Sequence, residues 1–192
     1  PVGSENDNPI VLTMDQDIDL IAIFDNTYLL TTSVNDDEGG SIIISPDQQG
    51  SYVYGTEITL TANPDSTYTF DGWSGDVPVG SENDNPIVLT MDQDVDLIAN
   101  FIEQFIINLT LPEEGVLDCS LTPNYETYND GESVTVGCLL EDNFQFENWT
   151  GDLDAGVNPH TFNITSDMDI SLDVIELFEI NLCDSLENGL IT

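Results

Sequence analysis

The sequence predicts an all-β protein: a rod-like array of small tandem antiparallel domains, each of about six strands, either β-grasp-like or an Ig-like sandwich. Three observations predict it. Residues 1–24 recur as residues 78–101, 77 positions later, with only Ile18/Val95 and Ile23/Asn100 changed; repetition at a fixed period is the mark of a tandem array. Apolar residues alternate with polar ones at a period of two, and no stretch combines helical spacing with an N-cap. Clusters of Gly, Pro, Asn and Asp interrupt the alternating runs every 8–14 residues or so, as in small all-β domains.

The repeat sets the expected organisation. Residues 1–24 are the closing part of one unit, 25–101 a complete unit, 102–176 a complete divergent unit, and 177–192 the start of a further one. Because the chain opens inside a repeat, a longer array is expected around it. Within the complete unit, residues 28–34 read as a first strand, closed by the turn-rich stretch 35–40. A second strand covers 41–45 and stops at Pro46. Residues 57–63 alternate, with Ile58, Leu60 and Ala62 on one face and Glu57, Thr59 and Thr61 on the other, as in a half-buried antiparallel strand. After a turn at Pro64, the aromatic residues Tyr68, Phe70 and Trp73 lead into an expected tight turn at 73–76, where Gly75 can take positive φ. Residues 86–91 and 94–101 close the unit, and Val95, Leu97, Ala99 and Phe101 line one face. The second unit keeps this frame: Phe105 answers Tyr28, Phe144, Phe146 and Trp149 answer Tyr68, Phe70 and Trp73, and residues 168–174 answer the closing strand. Linkers of only a few residues are expected at 25, 102 and 177.

Composition narrows the function. The chain carries 38 Asp and Glu and no Lys or Arg, for a formal net charge of −38. Nucleic acid, whose affinity for proteins comes largely from cationic side chains, is excluded as a partner. Anionic membranes are excluded on the same ground, and no run of 18 apolar residues exists. Cations, cell-surface glycans and further copies of the repeat remain. With no Lys or Arg, no cationic side chain is available to stabilise an oxyanion or phosphate. His160, the only His, has no nucleophile at useful spacing and reads as a loop residue. No enzymatic activity is expected.

The acidic clusters carry two readings. Asp92, Asp94 and Asp96, like Asp15, Asp17 and Asp19 before them, open as an EF-hand loop does but lack its Gly at position six and its Glu at position twelve. On a strand they would lie on one face roughly 6.5–7 Å apart, too wide for one ion without a neighbouring strand. Asp36, Asp37 and Glu38, and the acidic loop at 81–85, have more freedom to wrap a cation. Oxygen-only ligands suit Ca2+, the one cofactor these clusters would take; the alternative is a solvated acidic face. Trp73 and Trp149, with Phe70 and Phe146, read as core anchors, against the alternative of sugar-stacking platforms. Asn108, Asn148 and Asn163 match the N-glycosylation pattern.

The order Gly55-Thr-x-Ile-x-Leu-x-Ala62, then Tyr68-Thr-Phe70-x-Gly-Trp73-Ser-Gly-Asp76, then Met91-x-x-Asp-Val-x-Leu-x-Ala-x-Phe101 resembles the divergent B-repeat of internalin-type bacterial proteins. The resemblance spans almost all of each unit; in the second, Asn148 replaces the Gly before Trp149 and Cys138 replaces the small Ala. It implies a compact β fold, spacer modules in large secreted or cell-surface proteins of bacteria, and no catalytic residues. The expected function is thus a structural repeat segment, an adhesin stalk or an extracellular filament subunit whose partners are neighbouring repeats. A calcium-dependent module binding glycans or surfaces is the alternative. For a filament, residues 1–24 and 177–192 would pair head to tail by strand addition.

Cys119 aligns with Ile42 on the second strand and Cys138 with Ala62 on the third. Both positions are apolar and core-facing on strands expected to be neighbours. A disulfide between them is expected, stabilising by roughly 3 kcal/mol in the chain-entropy model. Cys183 aligns with Thr110, and its partner is expected outside this stretch.

Overall fold

The computed structural model describes residues 9–12, 17–48 and 50–179. The first unit contains β1 (Thr27–Val34), β2 (Gly40–Ser45), β3 (Ser51–Val53), β4 (Glu57–Pro64), β5 (Tyr68–Gly75), β6 (Ile87–Thr90) and β7 (Val95–Phe105). The second contains β8 (Ile107–Thr110), β9 (Val116–Thr122), β10 (Tyr128–Asn129), β11 (Ser133–Leu140), β12 (Phe144–Gly151), β13 (His160–Asn163) and β14 (Met168–Glu176). There is no helix among the described residues.

Each unit is a β-sandwich. In the first, one sheet runs β3-β1-β7-β5 and the other β2-β4-β6. In the second the corresponding sheets are β8-β14-β12 and β9-β11-β13. The alternation read from the sequence becomes the core: Ile58, Leu60, Ala62, Val95, Leu97, Ala99 and Phe101 are all buried around Trp73. Trp149 holds the same place in the second unit, with Val136, Ile170 and Leu172. A smaller cluster of Tyr128, Val134 and Ile164 gathers Phe105 and Ile107.

Several details differ from the expectations. Pairing is antiparallel except between the first and last strand of each unit, where β1 lies parallel to β7 and β8 parallel to β14. The closing strand arrives from the opposite sheet, and such a crossover lets it run alongside the first strand in the same sense. The short strands β3 and β10 escape pattern reading because three or two residues cannot show a period. The aromatic run 68–75 is a strand rather than a turn at 73–76: β5 pairs with β7 through Gly75, with a register shift between Phe70 and Gly72. The chain turns only at Gly75, where φ is 95° and a side chain would collide with the Asp96 carbonyl. Gly151 repeats this against Asp169. His160 is no loop residue: it is half-buried at the start of β13, opposite Val136, with its ring stacked 6.4 Å from that of Phe162.

No linker separates the two units. The boundary expected at 102 lies inside β7, whose last residues pair with both units. Glu103 is the register partner of Tyr68 on β5, and its carbonyl accepts the Asp130 N–H at 2.9 Å. Gln104 donates its N–H to the Thr67 carbonyl at 2.7 Å and its side-chain amide to Asn129 Oδ1 at 3.0 Å.

Candidate functional site

Several acidic residues at the strand ends and turns are positioned as acceptors for backbone N–H groups. β7 begins at Val95, so Asp92 and Asp94 precede the strand and do not share one strand face with Asp96. Asp94 Oδ1 accepts the Leu29 N–H at 2.8 Å, joining the start of β1 to the start of β7. Asp167 does the same for Ile106 at 2.9 Å. The Asp96 N–H donates to Asp76 Oδ2 at 3.0 Å while the Asp96 carbonyl accepts the Asp76 N–H at 2.8 Å; Asp152 and Asp169 form the same pair. A carboxylate that receives an N–H stabilises a turn through a charge-assisted hydrogen bond. The repeated Asp residues therefore have a local reason to be where they are.

Asp36, Asp37 and Glu38 form the turn between β1 and β2. Asp36 uses both carboxylate oxygens, Oδ1 toward the Glu38 N–H at 3.0 Å and Oδ2 toward the Tyr68 hydroxyl at 3.2 Å. The Tyr68 phenol is pushed above its ordinary value by desolvation, by its hydrogen bond to Asp36 and by the charges of Asp36, Glu103 and Glu38. Among the described residues, no group of three or more His, Cys, Asp or Glu side chains converges to hold a metal ion. Asp15 and Cys183 lie outside the described residues; Asp17 and Asp19 are exposed and outside any strand.

Trp73 and Trp149 are 4% and 0% exposed. Each indole N–H is bonded inward, to the Asp84 carbonyl at 2.8 Å and the Val157 carbonyl at 3.0 Å. Half-buried Phe70 and Phe146 lie against them, with ring centroids 5.4 and 5.7 Å apart. All four act as core anchors, and neither indole face is open to stack on a sugar. Asn108, on β8, donates its side-chain amide to Asp169 Oδ1 at 2.9 Å. Asn148, which takes the place of Gly72, donates to Asp154 Oδ1 at 3.0 Å, and Asn163 ends β13.

Cys119 and Cys138 form the expected disulfide, across β9 and β11. The Cys138 N–H and carbonyl both turn away from β9 toward the Asn158 side chain, at 2.9 and 2.8 Å. The two Cys residues are therefore a non-hydrogen-bonded cross-strand pair, the kind whose side chains come closest. Ile42 and Ala62 occupy the same register on β2 and β4.

Two surface depressions accompany these features. One, about 570 Å3, lies where the units meet, beside Gln104, Tyr125, Asn129 and Glu132. The other, about 520 Å3, flanks the disulfide beside Asp118, Asn158 and Pro159. His160 lines neither.

Residues 30–104 match the family model of the divergent InlB B-repeat domain. The first unit is a divergent InlB B-repeat. The match covers 75 of the 192 residues and coincides with the sandwich from β1 to β7. The second unit lies beyond it but repeats the first unit's central strand order and buried Trp, with Asp167, Asp152 and Asn158 in the places of Asp94, Asp76 and Asn85, while its short strand β10 pairs with β7. Comparison with curated proteins gives no match.

Proposed function

We propose that these two units form a non-enzymatic structural segment of an extracellular bacterial protein, an adhesin stalk or filament subunit that holds other parts at a distance. The observation that carries this reading is the unbroken strand β7. Its last residues are hydrogen-bonded to both units, through Gln104 to Thr67 on one side and to Asn129 on the other. A junction tied in this way resists bending, whereas a flexible linker would leave loose beads. The match of the first unit to the B-repeat family supports a surface or secreted setting. The wholly anionic set of charged side chains keeps such arrays soluble and apart in salty water.

Small-angle scattering tests the proposal. Chains of two, three and four repeats are expected to give elongated particles whose maximum dimension grows linearly with repeat number. A compact particle, or a length that saturates, overturns it.

A further inference from the structure

The parallel pairing of terminal strands points to a property beyond spacing. We infer that each unit is a force-bearing clamp, built to resist tension applied along the chain. The inference rests on the structural reading above, because only a chain held at both ends feels such a load.

Tension enters the first unit at the start of β1 and leaves from the end of β7. Those strands are neighbours and run in the same direction, in register from Leu30 opposite Val95 to Val34 opposite Ala99. Pulling their outer ends apart slides one strand along the other. The hydrogen bonds between them lie across the pull, so they share it and must fail together. Had the pull run across the strands, the bonds would have been loaded along their own axes and failed a few at a time.

The neighbouring strands strengthen this geometry. β1 is also held by β3, from Thr27 opposite Val53 to Leu29 opposite Ser51. β7 is held on its other side by β5, from Tyr68 opposite Glu103 to Gly75 opposite Leu97. Sliding either terminal strand therefore breaks two ladders. Side chains extend the contact at both ends: Asp94 accepts the Leu29 N–H, and Asn35 exchanges two hydrogen bonds with the Phe101 backbone, at 2.8 and 2.9 Å. Sliding would also drag Leu97, Ala99 and Phe101 out of the core.

The second unit repeats the device with a shorter contact. β8 lies parallel to β14, from Ile107 opposite Met168 to Thr110 opposite Ser171, and Asp167 accepts the Ile106 N–H. Pro112 stands where the repeat would place Asn35, so the side-chain tie at the far end is missing. The disulfide joins β9 to β11 in the opposite sheet. It does not cross the loaded pair; it limits how far the chain extends once that pair has given way.

Single-molecule pulling of the whole chain through handles at its two ends tests the clamp. Two rupture events are expected, the weaker from the second unit and the stronger from the first. Under oxidising conditions the weaker event releases roughly 65 Å less chain than after reduction, at about 3.5 Å for each of the 19 residues that the disulfide spans. The stronger event is unchanged by reductant. In a second geometry the handles replace exposed Ile43 and Val88, on the outer strands of the β2-β4-β6 sheet, and the pull runs across the strands. The first unit should then rupture at a force several-fold lower, since forced unfolding reports the barrier along the loaded direction. Equal forces in the two geometries, or end-to-end extension with no resolved rupture, overturns the clamp. If scattering still shows an elongated particle, the spacer reading survives that failure. A compact particle with strong end-to-end rupture would retire the spacer and keep the clamp.

Discussion

Asn85 and Ala62 exchange two hydrogen bonds: the Ala62 N–H donates to Asn85 Oδ1 at 2.9 Å, and Asn85 Nδ2 donates to the Ala62 carbonyl at 2.8 Å. The side-chain amide stands in for a strand residue, continuing the β4 ladder two residues beyond the Leu60–Ile87 pair that ends its contact with β6. Asn158 does the same for Cys138 in the second unit. A buried backbone group left without a partner costs about 1–3 kcal/mol, and Ala62 is 3% exposed. Asn85→Ala, which orphans two groups, is expected to destabilise the first unit by about 2–4 kcal/mol. Asn85→Asp keeps an acceptor for the N–H but sets a carboxylate against the Ala62 carbonyl, and should be no better tolerated. Urea unfolding checks this, by a lower midpoint for the first transition at unchanged slope.

The same Asn explains where a disulfide fits. Because Asn85 takes both backbone groups of Ala62, Ile42 and Ala62 form a non-hydrogen-bonded pair, as Cys119 and Cys138 do. Reducing the native bond should lower the stability of the second unit by about 3 kcal/mol in the chain-entropy model. The paired substitution Ile42→Cys and Ala62→Cys is expected to close a second bridge in the first unit without rearrangement. Peptide mapping of the unreduced protein would show both linked pairs. Free alkylation at 42 and 62 would mean that the register does not carry over.

How much of this was legible depended on periodicity. Long alternating strands such as β4 and β7 declared themselves, and so did the buried Trp73 and Trp149, which close the same aromatic run in each unit. Chemistry without a period stayed hidden. Asn85 looks like any turn residue until its distant partner Ala62 is known, and Asp94 looks like part of an acidic strand until Leu29 is brought beside it. The parallel sense of β1 and β7 is likewise a property of the path between sheets, which local sequence does not encode. The disulfide was readable because the repeat supplied an alignment: it placed Cys119 on Ile42 and Cys138 on Ala62.

The same residues pack only where their neighbouring strands are present. Leu20 and Phe24 repeat Leu97 and Phe101, yet the first pair is 62% and 89% exposed and the second 0% and 4%. What differs is the neighbourhood, since β7 has β1 and β5 on either side. Deleting residues 1–24 is therefore expected to leave the complete unit folded, with its melting temperature unchanged in calorimetry and both Trp residues still protected from acrylamide. A large loss of stability would mean that the segment packs on the unit in solution. The same deletion tests head-to-tail assembly, which strand addition through residues 1–24 would require.

Salt should act on this protein with a single sign. In most proteins added salt weakens attractive ion pairs and relieves repulsion together, so the net effect is small or mixed. Here there is no Lys or Arg to form a pair, and 38 acidic residues repel one another. Self-repulsion destabilises the compact state more than the expanded one, because folding brings the charges closer. Raising NaCl from about 0.01 to 1 M shortens the screening length from about 30 to about 3 Å. The melting temperature at neutral pH is expected to climb steadily across that range. CaCl2 matched in ionic strength separates screening from site binding: screening follows ionic strength, whereas a bound ion stabilises at concentrations set by its own affinity. A flat or falling melting temperature in NaCl would show that the carboxylates are spaced widely enough, or hydrogen-bonded well enough in the manner of Asp94 and Asp76, for their repulsion not to govern stability.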